Sequence, residues 1–247
     1  MPSILGAAAS GMTHNQNKLD VISHNVANAN AFSFKKLRPL HEGVPSPEID
    51  PDAGRLGVAE TTSDLIFSQA MTQVTDNPLN FAIEGDAFLR VRDFDGAIVY
   101  TRFGALEPDV DGNILAANGR FLEPAIQMPP LWTQPQVDAA GIISALDLDG
   151  VRQELGQLSF ARFRNPQGLQ ILGEGLYLDS ANTGEITVGA AATEGFAALR
   201  TGALEGSNVD MAEEFTNMIV AQRAYSACAK TFAVGDAMLA IATNITQ

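Results

Sequence analysis

Cysteine is nearly absent from this 247-residue chain: Cys228 is the only one, so no disulfide can close within it. Cys228 falls in an apolar helical pattern with no basic cluster beside it, which reads as a small packed residue rather than a reactive thiol. Positive charge is scarce as well, with 15 Lys and Arg against 29 Asp and Glu and a formal net charge of −14. A nucleic-acid surface needs clustered cations to neutralise phosphates, and an anionic bilayer surface needs the same, so neither is expected as a partner. No apolar run approaches the ~18 residues of a membrane span, and no direct membrane insertion is expected. The start, Met1-Pro2-Ser3-Ile4-Leu5-Gly6, lacks the basic n-region of a secretory signal, and its apolar stretch breaks into Ser10, Thr13, His14 and Asn15. Any exit from the cytoplasm would use a route without a cleaved standard signal.

Motifs that carry chemistry are also missing. His14, His24 and His41 show no zinc-ligand spacing. There is no nucleophile elbow, no P-loop and no dinucleotide fingerprint; Gly173-Glu174-Gly175 lacks the third glycine and a following helix. Asp109-Val110-Asp111-Gly112-Asn113 looks superficially like a calcium loop, but an EF-hand has glycine sixth and a bidentate Glu twelfth, whereas here glycine is fourth and the twelfth residue is Arg120. A tight turn explains the segment better. The expectation is a protein that is not an enzyme and holds no cofactor and no metal.

What is present falls into three zones. Ser3 to Asn30 is rich in Ala and Asn, with Lys18 and Asp20 as its only formally charged side chains. Met12, Asn15, Leu19, Ile22, Val26 and Ala29 recur at alternating three- and four-residue spacing, one seam of a helix with a polar position at Asn15. Arg38 to Gly57 holds Pro39, Pro45, Pro47 and Pro51 with Gly43, Gly54 and Gly57, and reads as an extended connector or irregular arm. Beyond it, Asp95-Gly96, Asp111-Gly112, Asn118-Gly119 and Asp149-Gly150 separate short runs such as Phe81-Ala82-Ile83, Phe88-Leu89-Arg90-Val91, Ala97-Ile98-Val99-Tyr100-Thr101 and Leu158-Ser159-Phe160-Ala161-Arg162-Phe163. That is the pattern of an antiparallel β domain, with both central turn residues able to take positive φ.

The third zone, Val209 to Ile245, is helical. Asp210 with Glu213 resembles a capping box and the acidic first turn suits the helix dipole. Met211, Phe215, Met218, Tyr225, Phe232 and Leu239 form one seam, while Val220, Ala224, Ala227, Val234, Met238, Ile241 and Ile245 add apolar surface elsewhere. A helix apolar over much of its circumference is normally buried. One terminal helix can cover one face of the other, and copies of the same chain are the natural cover for the rest. The expected fold is α+β: long N- and C-terminal helices pairing as a coiled-coil-like helical domain around a central antiparallel β-rich domain. Its parts are an N-terminal helix at 1–36, an extended connector at 37–76, the β domain at 77–204 and a C-terminal helix at 205–247.

Several blocks resemble one family. Asp20-Val21-Ile22-Ser23-His24-Asn25-Val26-Ala27-Asn28-Ala29-Asn30 followed by Phe34-Lys35 is similar to the N-terminal signature of bacterial flagellar basal-body rod and hook proteins. Asn77-Pro78-Leu79-Asn80-Phe81-Ala82-Ile83-Glu84-Gly85-Asp86-Ala87-Phe88, Tyr100-Thr101-Arg102-Phe103-Gly104, Leu204-Glu205-Gly206-Ser207-Asn208-Val209-Asp210 and Met218-Ile219-Val220-Ala221-Gln222-Arg223-Ala224-Tyr225 continue the likeness in the family's order over nearly the whole chain. Leu122-Glu123-Pro124-Ala125-Ile126, Gly173-Glu174-Gly175-Leu176-Tyr177 and the length favour the distal rod branch; a proximal rod subunit or a hook-like axial protein is the alternative, and a monomeric β-domain binding module the reading from another class. Two departures stand out. Ser33 occupies the place of the glycine expected before Phe34, which bears on the turn there, and the connector from Lys36 to Asn77 is shorter and richer in proline than in a distal rod protein.

The resemblance implies a structural subunit of the periplasm-spanning rod, a helical hollow polymer that transmits motor torque to the hook. It implies export by the flagellar type III apparatus. The implied partners are further copies of itself, proximal rod proteins, hook protein and the surrounding P- and L-ring bushing. The candidate subunit-interface residues are Met12, Leu19, Ile22, Asn25, Val26, Asn28, Asn30, Phe34, Met211, Phe215, Met218, Gln222, Arg223, Tyr225, Phe232 and Leu239. Asn25, Asn28 and Asn30 could equally cap the first helix, Phe34 reads as a buried anchor, and Arg223 could be a solvated helix residue.

Overall fold

The structure, a computed structural model, describes residues 2–44, 57–116, 119–193, 195–196 and 198–245. The stretch 45–56, with Pro45, Pro47, Pro51 and Gly54, and Asn118 of the expected Asn118-Gly119 turn lie outside the described residues. The chain is α+β and divides into two compact units, one formed by Met1–Ala29, Lys36–Ile66 and Val209–Gln247, the other by Asn30–Lys35 and Phe67–Asn208. The second unit extends beyond 77–204 on both sides and takes in the short segment after the first helix.

The helical unit contains α1 (Pro2–Ala27), β1 (Leu37–Val44), β2 (Gly57–Leu65) and α2 (Met211–Ile245). α1 packs on α2 and on both strands. Of its buried positions, Ala8, Asn15 and Ile22 recur every seven residues, with Asn25 one turn beyond the last, and the Asn15 amide donates to the Gly11 carbonyl of its own helix (2.7 Å). α1 ends where Asn28 turns back, its side chain donating to the His24 carbonyl at 2.9 Å. α2 begins at Asp210, whose Oδ1 accepts the backbone N–H groups of Ala212 (2.8 Å) and Glu213 (3.2 Å), satisfying donors that the first turn leaves open. β1 and β2 form an antiparallel ribbon running from Leu37 opposite Leu65 to Val44 opposite Gly57. In its described residues the connector is therefore a paired ribbon, not an irregular arm. Pro39 fits because each strand of a two-stranded ribbon has an edge that needs no donor.

The β unit holds β3 (Thr72–Val74), β4 (Phe81–Ile83), β5 (Ala87–Arg92), β6 (Ile98–Thr101), β7 (Glu107–Pro108), β8 (Ile114–Ala116), β9 (Arg120–Leu122), β10 (Thr133–Val137), β11 (Ile142–Leu146), β12 (Arg152–Gln157), β13 (Phe160–Phe163), β14 (Gln170–Gly173), β15 (Leu176–Leu178), β16 (Ile186–Gly189), β17 (Leu199–Thr201) and β18 (Ala203–Glu205). All its ladders are antiparallel. β5 is central, paired with β6 along one edge and with β13 and then β9 along the other. Strand alternation sends Leu89 and Val91 into the main core with Phe81, Ile83, Leu106 and Phe160. Phe88 points the other way, edge-on to Phe67 (5.3 Å), Phe163 (5.4 Å) and Tyr177 (5.8 Å). Each such side chain contributes ~1.5–3 kcal/mol when fully buried.

The expected hairpin turns are made differently from the expectation. Asp93-Phe94-Asp95-Gly96, Asp109-Val110-Asp111-Gly112 and Asp147-Leu148-Asp149-Gly150 each place only the glycine at positive φ (83°, 81° and 76°). In each turn the glycine N–H donates to the carbonyl of the first Asp, whose own N–H donates across the turn. This is a type I turn closed by a left-handed residue, so the second Asp keeps negative φ. The first Asp side chain also accepts a nearby backbone N–H. Asp138-Ala139-Ala140-Gly141 makes the same turn with no Asp-Gly pair; the shared signal is Asp three residues before glycine.

Candidate assembly surface

α2 carries large apolar residues round much of its circumference, and among the described residues one chain covers only a narrow stripe of the helix, made of other residue types. That stripe holds Glu214 and Ala221, with Cys228 and Gly235 half-buried along the same seven-residue period. Small residues are what this stripe requires: a Cβ built on Gly11 of α1 would stand 2.9 Å from the Cys228 Sγ. Cys228 is thus a small packing residue at a close approach of the two helices. The seam expected from spacing lies elsewhere. Met211, Phe215, Tyr225 and Phe232 are exposed, and Met218 and Leu239 are half-buried. Spacing gives several equivalent seams on a helix apolar round much of its circumference, and close approach selects the small-residue one. Phe215 is 47% exposed, Val220 54%, Met238 53% and Ile241 60%. With Ile219 and Val234, also exposed, they form an apolar surface along much of the helix, and Gln222 and Arg223 are exposed beside them.

The α1 candidates divide. Met12, Leu19 and Val26 are half-buried, whereas Ile22 is closed inside the helical unit. Asn25 is closed as well, at 1% exposure. Its side chain clasps Leu37, accepting the Leu37 N–H at 3.0 Å and donating to the Leu37 carbonyl at 2.9 Å, and reaches Glu214 Oε2 at 3.5 Å. A residue so engaged tethers α1 to β1. Asn28 serves its own helix end and is half-buried, Asn30 is exposed, and Phe34 is half-buried in the β unit.

Three residues that spacing passed over complete this clasp. Lys36 sits between Glu214 (2.7 Å) and Glu213 (2.9 Å). Burial works against its charge, but hydrogen bonds to Glu214 and Glu213 outweigh it and hold the ammonium above the ordinary lysine range. The available signal was the acidic first turn of α2, which does more than suit its dipole. The pocket here, about 350 Å³, is lined by Lys18, Asn25, Lys36, Arg38, Glu213 and Glu214 among others.

In the β unit a second buried network follows the Phe34-Lys35 signature. Glu205 Oε1 pairs with Lys35 Nζ at 2.7 Å and Oε2 with Arg102 Nε at 3.0 Å, with all three side chains at most 1% exposed. Arg102 also donates to the Gly85 carbonyl (2.8 Å) and lies 5.4 Å from the Phe88 ring centroid. Burial, then the charge of Arg102, push Lys35 down to about 8. Burial opposes the Glu205 charge, yet Arg102 and Lys35 hold its carboxyl below the usual range. Ser33 keeps the left-handed backbone of the expected glycine (φ 56°), and its hydroxyl donates to the Arg102 carbonyl at 3.0 Å. Two further residues of the quoted blocks have physical reasons: a side chain on Gly104 would stand 1.9 Å from the Phe81 carbonyl oxygen, and the Thr101 hydroxyl accepts the Phe103 N–H at 3.1 Å.

Among the described residues no group of three or more His, Cys, Asp or Glu side chains could hold a metal ion, and no helix is long and apolar enough to cross a membrane. Family models match residues 5–35 as flagella basal body rod protein, 82–145 as flagellar hook protein FlgE/F/G D1 domain, and 200–245 as flagellar basal body rod FlgEFG protein C-terminal. The chain is 36% identical to the flagellar basal-body rod protein FlgG of Borreliella burgdorferi, over 99% of each chain. It is 33% identical to that of Bacillus subtilis over 98% of each, and 32% identical to that of Caulobacter vibrioides over 95% of this chain and 96% of the relative. Its similarity to the flagellar hook protein FlgE of Borreliella burgdorferi, 38% over 104 residues, takes in 42% of this chain and 24% of that one. Helices before and after an antiparallel β unit along the chain, the matched segments in order and this full-length likeness place the chain in the flagellar basal-body rod protein family, as a structural subunit of the rod.

Proposed function

We propose that the chain is a distal rod subunit that polymerises through its helical unit into a hollow helical shaft transmitting torque from motor to hook. The observation that carries this reading is the apolar surface left open along α2. Large apolar residues half exposed on one long helix are stable in water only at a cost, and each contributes ~1.5–3 kcal/mol once fully buried. Further copies of the same chain are the cover that a repeating rod supplies, since a head-to-tail contact that does not close generates a filament. Within each subunit the seven-residue recurrence of Ala8, Asn15 and Ile22 on α1 and of Glu214 and Ala221 on α2 supports coiled-coil-like pairing. Met211, Phe215, Gln222, Arg223, Tyr225 and Phe232 are the interface residues this reading retains foremost, while Ile22 and Asn25 act inside the subunit. Proximal rod proteins and hook protein are the axial neighbours, the P- and L-rings the bushing, and the type III apparatus the export route. The role is mechanical, with no catalytic step.

The test is sedimentation velocity over a range of concentrations, on the full chain and on a Val220→Asp/Met238→Lys double variant. Both positions are about half exposed in the single chain, so helix content should be unchanged by circular dichroism. The wild type should sediment faster as concentration rises and the variant should stay monomeric. A wild type that remains a compact monomer at high concentration would sink the reading.

A further inference from the structure

The chain leaves or enters the β unit at Lys35, at Phe67 and at Asn208, besides its first entry at Asn30. The segments at these three points are joined by hydrogen bonds that meet at Ser68, the residue after Phe67. Lys35 Nζ donates to the Ser68 carbonyl at 2.9 Å. The Asn208 side-chain amide donates to the same carbonyl at 3.2 Å and to the Ser68 hydroxyl at 3.0 Å. The Ser33 N–H donates to the Glu205 carbonyl at 2.8 Å, the Ala70 N–H to Glu205 Oε1 at 3.0 Å, and Lys35 pairs with that same oxygen. Arg102 then anchors the group in the sheet, through Glu205 Oε2 and the carbonyls of Gly85 and Ala87.

A core needs no such arrangement for stability. A buried ion pair is often no better than apolar residues of the same volume, and here two cations share one carboxylate. What the network does that an apolar patch does not is join three chain crossings, from segments far apart in sequence, through directional bonds at one place. We propose that Lys35, Glu205, Ser68 and Asn208, anchored by Arg102, form a collar that shares force among the three crossings before it reaches the strands. Without it, tension on the chain beyond Asn208 would act first on β18, whose only ladder among the described residues is with β3, and peel it. This rests on the reading of the chain as a torque-transmitting subunit.

The experiment is single-molecule pulling of the full chain from its two termini, in dilute solution, on wild type, Lys35→Met and Asn208→Ala. Lys35→Met keeps an apolar stem and leaves Arg102 and Glu205 paired one to one, so the fold should persist. Ile143→Val, in the three-stranded sheet β10-β11-β12, serves as a control for ordinary destabilisation. Both collar variants should rupture the β unit at lower force than wild type, and at lower force than the control when compared at equal thermal midpoint. Unchanged rupture forces, or forces that fall on one line with the control against midpoint, would overturn the collar. The same variants are run by sedimentation. They should associate as wild type does, because the α2 face is untouched. Failure of the wild type to associate would remove the assembly reading while leaving the pulling result to decide the collar.

Discussion

Replacing Glu205 by glutamine would keep its shape and remove its charge, leaving Lys35 and Arg102 together in a site where all three side chains are buried. An uncompensated buried charge of this kind costs ~3–5 kcal/mol, so Glu205→Gln should lower the unfolding free energy of the β unit by about that amount in urea titrations. Ser33 presents the opposite balance. Its left-handed backbone costs ~1–2 kcal/mol that glycine would avoid, while its hydroxyl bond to the Arg102 carbonyl returns ~0.5–1.5 kcal/mol. Ser33→Gly should therefore stabilise by at most about 1.5 kcal/mol or destabilise by at most about 0.5 kcal/mol, and a larger loss would mean that the hydroxyl matters beyond its one bond. The departure from the family's glycine leaves the turn conformation in place.

At the scale of elements, α2 shows what periodicity can and cannot decide. Its apolar residues occur at so many registers that three- and four-residue spacing fits several stripes. The stripe that packs in the single chain is the one whose residues are small enough for Gly11 and Cys228 to meet. Because Val220 and Met238 are about half exposed in one chain, charges placed there should spare the helix and abolish association. Hairpins teach the complementary lesson. Asp-Gly marked three turns correctly, but the working unit is Asp-x-x-Gly. The aspartate oxygen holds the open N–H groups of the turn and only the glycine takes the left-handed conformation. Read that way, Asp138 to Gly141 would have been found with the others.

For the molecule as a whole, pH dependence follows from groups in the β unit. Lys35, at about 8 in the folded chain against an ordinary 10.5, is charged in both states below about pH 8, and its burial penalty is then fully present. From about pH 8 upward the folded chain releases that proton while the unfolded chain retains it, so stability rises with pH. Tyr177 acts against this, since burial pushes its phenol up to about 12 from 10.0. Above about pH 10 the unfolded chain ionises first and stability falls. On the acid side Glu205, held below its ordinary 4.5, stabilises the fold above that value and loses its contribution as pH falls through the folded pKa. Denaturant midpoints should therefore rise from about pH 8 and peak near pH 10, and Lys35→Met should flatten that rise. A wild-type profile without that rise would show that the Lys35 ammonium is not the strained member of the triad.

The sequence by itself determined the α+β division, both terminal helices, the turn-rich antiparallel middle and the family, because these depend on local propensity, on periodicity and on motif order along the chain. It also showed that α2 has more apolar surface than one partner helix can cover. Only the tertiary structure decided which stripe of α2 is used internally, that Asn25 clasps Leu37 rather than facing outward, that the residues on both sides of 45–56 pair as a ribbon, and that Lys35, Arg102 and Glu205 meet. Each of these turns on contacts between residues remote in sequence. Their outcome depends on side-chain volume at a close approach and on charge neutralisation in a buried site, neither of which spacing along one chain encodes.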